Sequence, residues 1–276
     1  MKHEEFSFRT MDGLEMFGQA WLPEENKLVL VNLIHGLGEH SGRYEHVAAR
    51  LTRAGFGLVG FDLRGHGKSS GKRGDTPSFE AYMQDIDRFR QEVQTRYQPA
   101  FEFLYGHSLG GLLLLNYLIR RKPSVRGAIS SAAGLHTPLT QQRLKLLFVN
   151  TLGSLIPTLT IPSGLDANLL SHDPTVVERY RNDALVHGVV TLRMARATMP
   201  AIETVFNQAH TINVPLLILH GSADQLTYPS GSQELSKKVP DNEFHLFDGF
   251  YHEIHNEPEK EKVFIMMISW MNRHLE

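Results

Sequence analysis

The sequence predicts an α/β protein with a mostly parallel central sheet, helices on both of its faces, and an inserted cap. Three observations carry this. Short runs that are apolar at nearly every position, such as KLVLVNLI (27–34) and VPLLILHG (214–221), suit strands buried on both sides. Segments with apolar residues at helical spacing separate them, and strands alternating with helices imply parallel crossover connections. The rhythm breaks between about 137 and 212, a stretch that reads as an insertion.

The elements follow in order. FSFRT (6–10) and LEMFGQAWL (14–22) flank the turn MDG and predict an antiparallel hairpin. From Lys27 the first buried strand leads to a helix around 43–54, then GLVGFD (57–62), a helix around 79–97, and FEFLY (101–105). A helix opened by Ser108 precedes VRGAISSAAG (125–134). Beyond the gap come VPLLILHG, a helix near 230–238, EFHLFDG (243–249), and a C-terminal helix from about Pro258. The expected core is therefore 1–136 with 213–276, and the expected cap is 137–212.

Composition narrows the function. A chain of 276 residues, 41% apolar and 21% charged, can bury one large core. A formal charge of -2 provides no field to gather nucleic acid or anionic lipid, so no nucleic-acid partner is expected. The absence of cysteine excludes disulfides, thiolate chemistry and cysteine-ligated metals. The start, MKHEEFSFRTMDG, has no apolar core of the signal type, so a cytoplasmic location is expected. The most apolar window, LKLLFVNTLGSLIPTLTIP (144–162), is interrupted by Lys145, Gly153, Pro157 and Pro162 and is too broken for a membrane anchor. No feature fixes an oligomeric state.

In such sheets ligands bind beyond the C-terminal ends of the strands. After FEFLY stands GHSLG (106–110), which places Ser108 at a tight strand-to-helix turn, the position of a nucleophile; a serine that merely caps the helix is the alternative. A serine hydroxyl needs a base to take its proton and a carboxylate to hold that base, in the chain order Ser, Asp, His. GSADQLT, directly after VPLLILH, supplies Asp224; Asp248, in a DG pair, is the alternative. GFYHEIHNE offers His252 and His255, of which His252 is nearer the strand end. The pair in HEIH is three residues apart, where HExxH metal sites need four, so no metal is expected. Two backbone amides must face the developing oxyanion: that of Leu109, beside the nucleophile, and that of Leu37 in HGLGEHSGRY. FDLRGHGKSSG (61–71) has Asp62 where a phosphate-binding loop would need glycine, and reads as a structural turn.

Taken together, HGLGEHSGRY, FDLRGHGKSSG, GHSLGG, HGSADQLT and FYHEIHNE resemble the monoglyceride lipase and lysophospholipase branch of the α/β-hydrolases, over nearly the whole chain. The resemblance implies the α/β-hydrolase fold and the same assignment of Ser108, Asp224, His252, Leu37 and Leu109. It also implies a small polar pocket for a glycerol leaving group, made by Glu39, Arg43, Tyr180 (in ERYRNDAL) and His255. For Arg43 an ordinary salt bridge is the alternative. The expected activity is cleavage of a lipid ester, foremost a monoacylglycerol, with no cofactor; lysophospholipids and simple esters are alternative substrates. A non-catalytic binder on the same fold is disfavoured because serine, acid and base are all present. In the cap, Leu144, Leu146, Leu147, Phe148, Val149, Leu152, Leu155, Ile156 and Leu159, followed by Met194 and Met199, are dense enough to line an acyl site or to touch a membrane or micelle surface transiently.

Overall fold

The computed structural model describes residues 1–24, 28–138, 142, 149 and 151–275. Lys27, Leu144, Lys145, Leu146, Leu147 and Phe148, which enter the reading above, lie outside the described residues. Among the described residues the strands are β1 (Lys2–Arg9), β2 (Glu15–Leu22), β3 (Val29–Ile34), β4 (Phe56–Phe61), β5 (Phe101–His107), β6 (Gly127–Ser131), β7 (Thr160–Pro162), β8 (Val189–Thr191), β9 (Leu216–Gly221) and β10 (Asn242–Phe247). Helices include α1 (Glu45–Thr52), α2 (Phe79–Tyr97), α3 (Leu109–Arg121), α4 (Pro174–Asn182), α5 (Leu192–Gln208), α6 (Pro229–Ser236) and α7 (Glu261–Arg273), and residues 151–155 are helical as well.

Eight strands form one sheet in the order β1-β2-β4-β3-β5-β6-β9-β10. Only the β1–β2 and β2–β4 pairs are antiparallel; the others run parallel. The central strands read as continuous apolar runs because each feeds two cores. Leu30 and Ile34 of β3 join the cluster containing α2 and α3, whereas Val31 and Leu33 join the one containing α1 and α7. In β9, Leu216 and Ile218 divide from Leu217 and Leu219 in the same way. This period-two division leaves no solvent face on the strand.

The hairpin is longer than its hydrophobic pattern. β1 starts at Lys2, because the polar His3 stacks on Trp21 at 5.1 Å and bonds Gln19 at 3.1 Å across the ladder. The helix expected from about residue 43 begins as a tight 3-10 turn at Ser41–Tyr44 before α1.

Between 137 and 212 the chain forms the antiparallel β7–β8 pair, a 3-10 turn at Ala167–Leu169, α4 and α5. Helix α5 settles this segment on the sheet's helices: Met194, Ala201, Ile202 and Val205 enter the same apolar cluster as α3. Asp75 adds a polar staple, accepting from Thr191 Oγ1 and Arg193 Nε, both at 2.7 Å. A third contact reaches the loop after β3, where the His187 amide donates to the Gly38 carbonyl at 2.9 Å.

Candidate active site

Ser108 sits between the last residue of β5 and the first of α3, with φ 54° and ψ -116°. Strain of this kind persists only where the surroundings enforce it. The glycines explain how. A Cβ on Gly106 would lie 2.4 Å from the Gly110 carbonyl oxygen, and one on Gly110 would lie 1.9 Å from that of Ile34. The turn therefore closes only with glycine at both positions. Ser108 occupies the helix-capping position but makes no side-chain capping bond, which removes the alternative of a simple cap. Its backbone is fixed instead, the amide donating to the Ser131 carbonyl at 3.0 Å and the carbonyl accepting from Gly134 at 3.0 Å.

Asp224 and His252 meet as the order of the motifs requires. His252 Nδ1 lies 2.7 Å from Asp224 Oδ2, and both side chains are buried. The carboxylate also receives the Leu226 and Thr227 amides on Oδ1, at 2.8 and 3.0 Å. Burial works to raise the Asp224 carboxyl, but the adjoining His252 and the bonds from His220 and His252 outweigh it and hold the group far below the usual carboxylate range. Burial likewise disfavours a charged His252 ring, yet Asp224 raises it above the ordinary histidine value. Asp248, by contrast, is exposed and bonded to Ser222 at 3.2 Å, as a turn residue.

Ser108 and His252 line one cavity of about 630 Å³, together with Leu37 and Leu109. Its remaining wall is largely apolar, including Leu112, Val149, Ile161, Met194, Met199 and Ile202. Among the described residues neither the Leu37 nor the Leu109 amide has a hydrogen-bond partner, so both donors remain open. Among the described residues no hydrogen bond joins Ser108 Oγ to His252; what relates the two is the cavity that both line. The loop carrying Leu37 is held from behind: Glu39 Oε1 accepts the Gly36 amide at 2.6 Å and the Tyr44 hydroxyl at 2.8 Å. His35 ties the same loop to the next one, its Nε2 accepting the Leu63 amide at 2.9 Å. Asp62, in FDLRGHGKSSG, accepts from Ser41 N, Ser41 Oγ and Lys68 N, so that segment is a structural turn supporting HGLGEHS.

Of the four residues expected around a glycerol group, Glu39, Arg43 and Tyr180 come together as a buried cluster in which Arg43 is salt-bridged, the alternative given for it above, and none of the three lines the cavity. Arg43 donates to Glu39 Oε2 at 2.8 Å, and its guanidinium lies 4.7 Å from the Tyr180 ring centroid. A partner absent from the sequence reading completes the group: Glu253 takes Arg43 through two bonds, at 2.6 and 2.8 Å. Burial pushes Glu39 up, but Arg43, His107 and His35 bring it down to about 2. His255 departs from expectation. It is 0% exposed and stacks on Tyr44 at 4.8 Å, because the 3-10 turn Ile254–Asn256 carries it inward, beneath His252 rather than into the cavity. His107 lies between, 4.8 Å from the His252 ring and 4.9 Å from that of His255, and burial drives it down to about 4, so it stays neutral.

These features match known proteins. A family model described as Hydrolase_4, serine aminopeptidase S33, matches residues 25–259. A monoacylglycerol lipase of Mycolicibacterium smegmatis is 31% identical over 98% of both chains. The crystal structure of a Paleococcus ferrophilus monoacylglycerol lipase aligns with a TM-score of 0.83 and 37% identity, covering 99% of this chain and all of that one.

The chain belongs to the monoglyceride lipase branch of the α/β-hydrolases.

It is a serine ester hydrolase. An uncharacterised abhydrolase domain-containing protein of Dictyostelium discoideum is 37% identical over 94% of this chain, which spans 28% of that relative's length. No helix among the described residues is long and apolar enough to cross a membrane.

Proposed function

We propose that the enzyme hydrolyses monoacylglycerols through an acyl-enzyme on Ser108. His252 takes the Ser108 proton as the hydroxyl attacks the ester carbonyl, and Asp224 stabilises the imidazolium that forms. The amides of Leu37 and Leu109 hold the oxyanion. His252 then protonates the glycerol oxygen, and a water activated by the same ring releases the fatty acid. The observation that carries this reading is the 2.7 Å bond from Asp224 to a histidine that shares an apolar cavity with the strained Ser108.

The leaving group follows from charge. Glu39, Arg43 and Glu253 place two carboxylates against one guanidinium, a buried cluster of net negative character behind the loop that carries Leu37. Neutral hydroxyls suit it, whereas the phosphodiester of a lysophospholipid is repelled. At the cap, Leu155, Ile156 and Leu159 are 75%, 49% and 38% exposed, between Val149 and Ile161 of the cavity wall. We assign to this edge transient contact with the lipid surface that presents the substrate.

The test compares kcat/KM for a monoacylglycerol, the triacylglycerol and the lysophosphatidylcholine of one chain length, with a p-nitrophenyl ester as reference. Unpaired buried polar groups cost about 1 to 3 kcal/mol each, so two should separate mono- from triacylglycerol by about two to four orders of magnitude. Comparable turnover of the three lipids would replace this reading with a broad esterase.

A further inference from the structure

We propose that His220 is a positioning residue for the acid of the triad, holding the same Asp224 oxygen that binds His252. This rests on the roles given above to Ser108, Asp224 and His252.

His220 lies near the end of β9, four residues before Asp224, and is fully buried. Its Nε2 faces two acceptors, Asp224 Oδ2 at 3.0 Å and the Thr227 carbonyl oxygen at 2.8 Å. That nitrogen must therefore carry the ring proton. Nδ1, 2.7 Å from Ser232 Oγ, is then an acceptor, and Ser232, also fully buried, donates. A directed line runs from Ser232 through His220 to Asp224 Oδ2, where it meets the N–H of His252 arriving at 2.7 Å.

The line has two consequences. Turning the carboxylate would break both imidazole bonds at once, so the oxygen that orients His252 is locked. Together with the Thr227 hydroxyl, which donates to the same oxygen at 2.9 Å, His220 draws negative charge from the bond to His252 and moderates how tightly that ring holds its proton. No step of the reaction consumes the His220 proton, so its action passes entirely through Asp224.

His220→Asn keeps a polar group near the Ser232 side of the ring but cannot reach Asp224, whereas His220→Gln places an amide N–H close to the original Nε2. The pH profile of kcat/KM on a p-nitrophenyl ester separates them, with melting midpoints recorded for both. The other groups facing the pair, His107, Glu39 and Glu253, are unchanged in each variant. We expect H220N to lose about tenfold in kcat and to move the acid limb up by about 0.5 to 1 pH unit. H220Q should restore the wild-type limb. If H220N does not fold, Ser232→Ala takes its place: it removes the donor to Nδ1, weakens the Nε2–H bond that His220 gives Asp224, and should move the limb in the same direction. An unmoved limb in whichever of these folds, or an equal displacement in H220Q, overturns the proposal. Asp224→Asn is measured alongside. If it keeps wild-type kcat, the triad reading itself has failed; if it loses activity while the limb stays fixed in the His220 series, only the role of His220 is lost.

Discussion

Replacing Arg43 by methionine removes the cation shared by Glu39 and Glu253 while keeping most of the side chain's bulk. Three charge-assisted bonds, at 2.6 to 2.8 Å, disappear, and two carboxylates whose side chains are 3% and 2% exposed lose that partner. Breaking a buried pair in this way costs about 3 to 5 kcal/mol, or roughly 6 to 20 °C in melting temperature for a chain of this size. The pH dependence has a definite sign. In the native protein Glu39 is lowered to about 2, so its stabilisation is present above the unfolded carboxyl value near 4.3 and is lost as pH falls through about 2. Without Arg43, burial is less opposed and the carboxyl rises, which penalises the folded variant at neutral pH and relents as the group takes a proton in acid. The gap between wild type and R43M should thus be widest near pH 7.5 and narrow toward pH 5. Urea denaturation followed by circular dichroism at the two pH values measures it. A gap below about 1 kcal/mol at pH 7.5, the scale of an exposed pair, or a gap that ignores pH, would refute the reasoning.

Four further outcomes are expected. Because Asp224 raises His252 above the ordinary value of 6.5 and the ring must be neutral to act as base, kcat/KM should decline as pH falls through a limb above 6.5; a limb below 6.5 contradicts the pairing. His252→Ala should lose at least about four orders of magnitude in kcat with its melting temperature kept. His255→Ala, which opens a buried site, should lower stability by about 2 kcal/mol and depress glycerol and p-nitrophenyl esters alike; a selective loss on glycerol esters would return His255 to direct substrate contact. Leu155→Ser combined with Ile156→Ser should weaken sedimentation with phosphatidylcholine vesicles without changing turnover of a soluble p-nitrophenyl ester. Unaltered vesicle binding would remove the cap edge from the account.

The mostly parallel sheet was legible because buried parallel strands leave an unbroken apolar signature, and β3, β4, β5 and β9 all carry it. The placement of Ser108, Asp224 and His252 was legible because this architecture sets ligand-facing residues just past strand ends, where the structure puts all three. What local pattern could not show is partnership across the chain. Glu253 lies beside His252 in the motif, yet its meaning comes from Arg43, 210 positions away. His220 looks like one more strand residue until Asp224 and Ser232 are seen on its two nitrogens. His255 was placed by resemblance beside the substrate, and its depth depends on a single inward 3-10 turn that composition does not encode. The early start of β1 was hidden for a similar reason, since His3 is held by Trp21 on the neighbouring strand rather than by its own hydrophobicity.

The central claim is a covalent intermediate on Ser108, and peptide mass spectrometry after treatment with a fluorophosphonate tests it most directly. The account predicts one adduct per chain, on the peptide containing GHSLG, and neither adduct nor ester hydrolysis in a folded Ser108→Ala variant. An adduct on another residue, or hydrolysis that survives in Ser108→Ala, would contradict it.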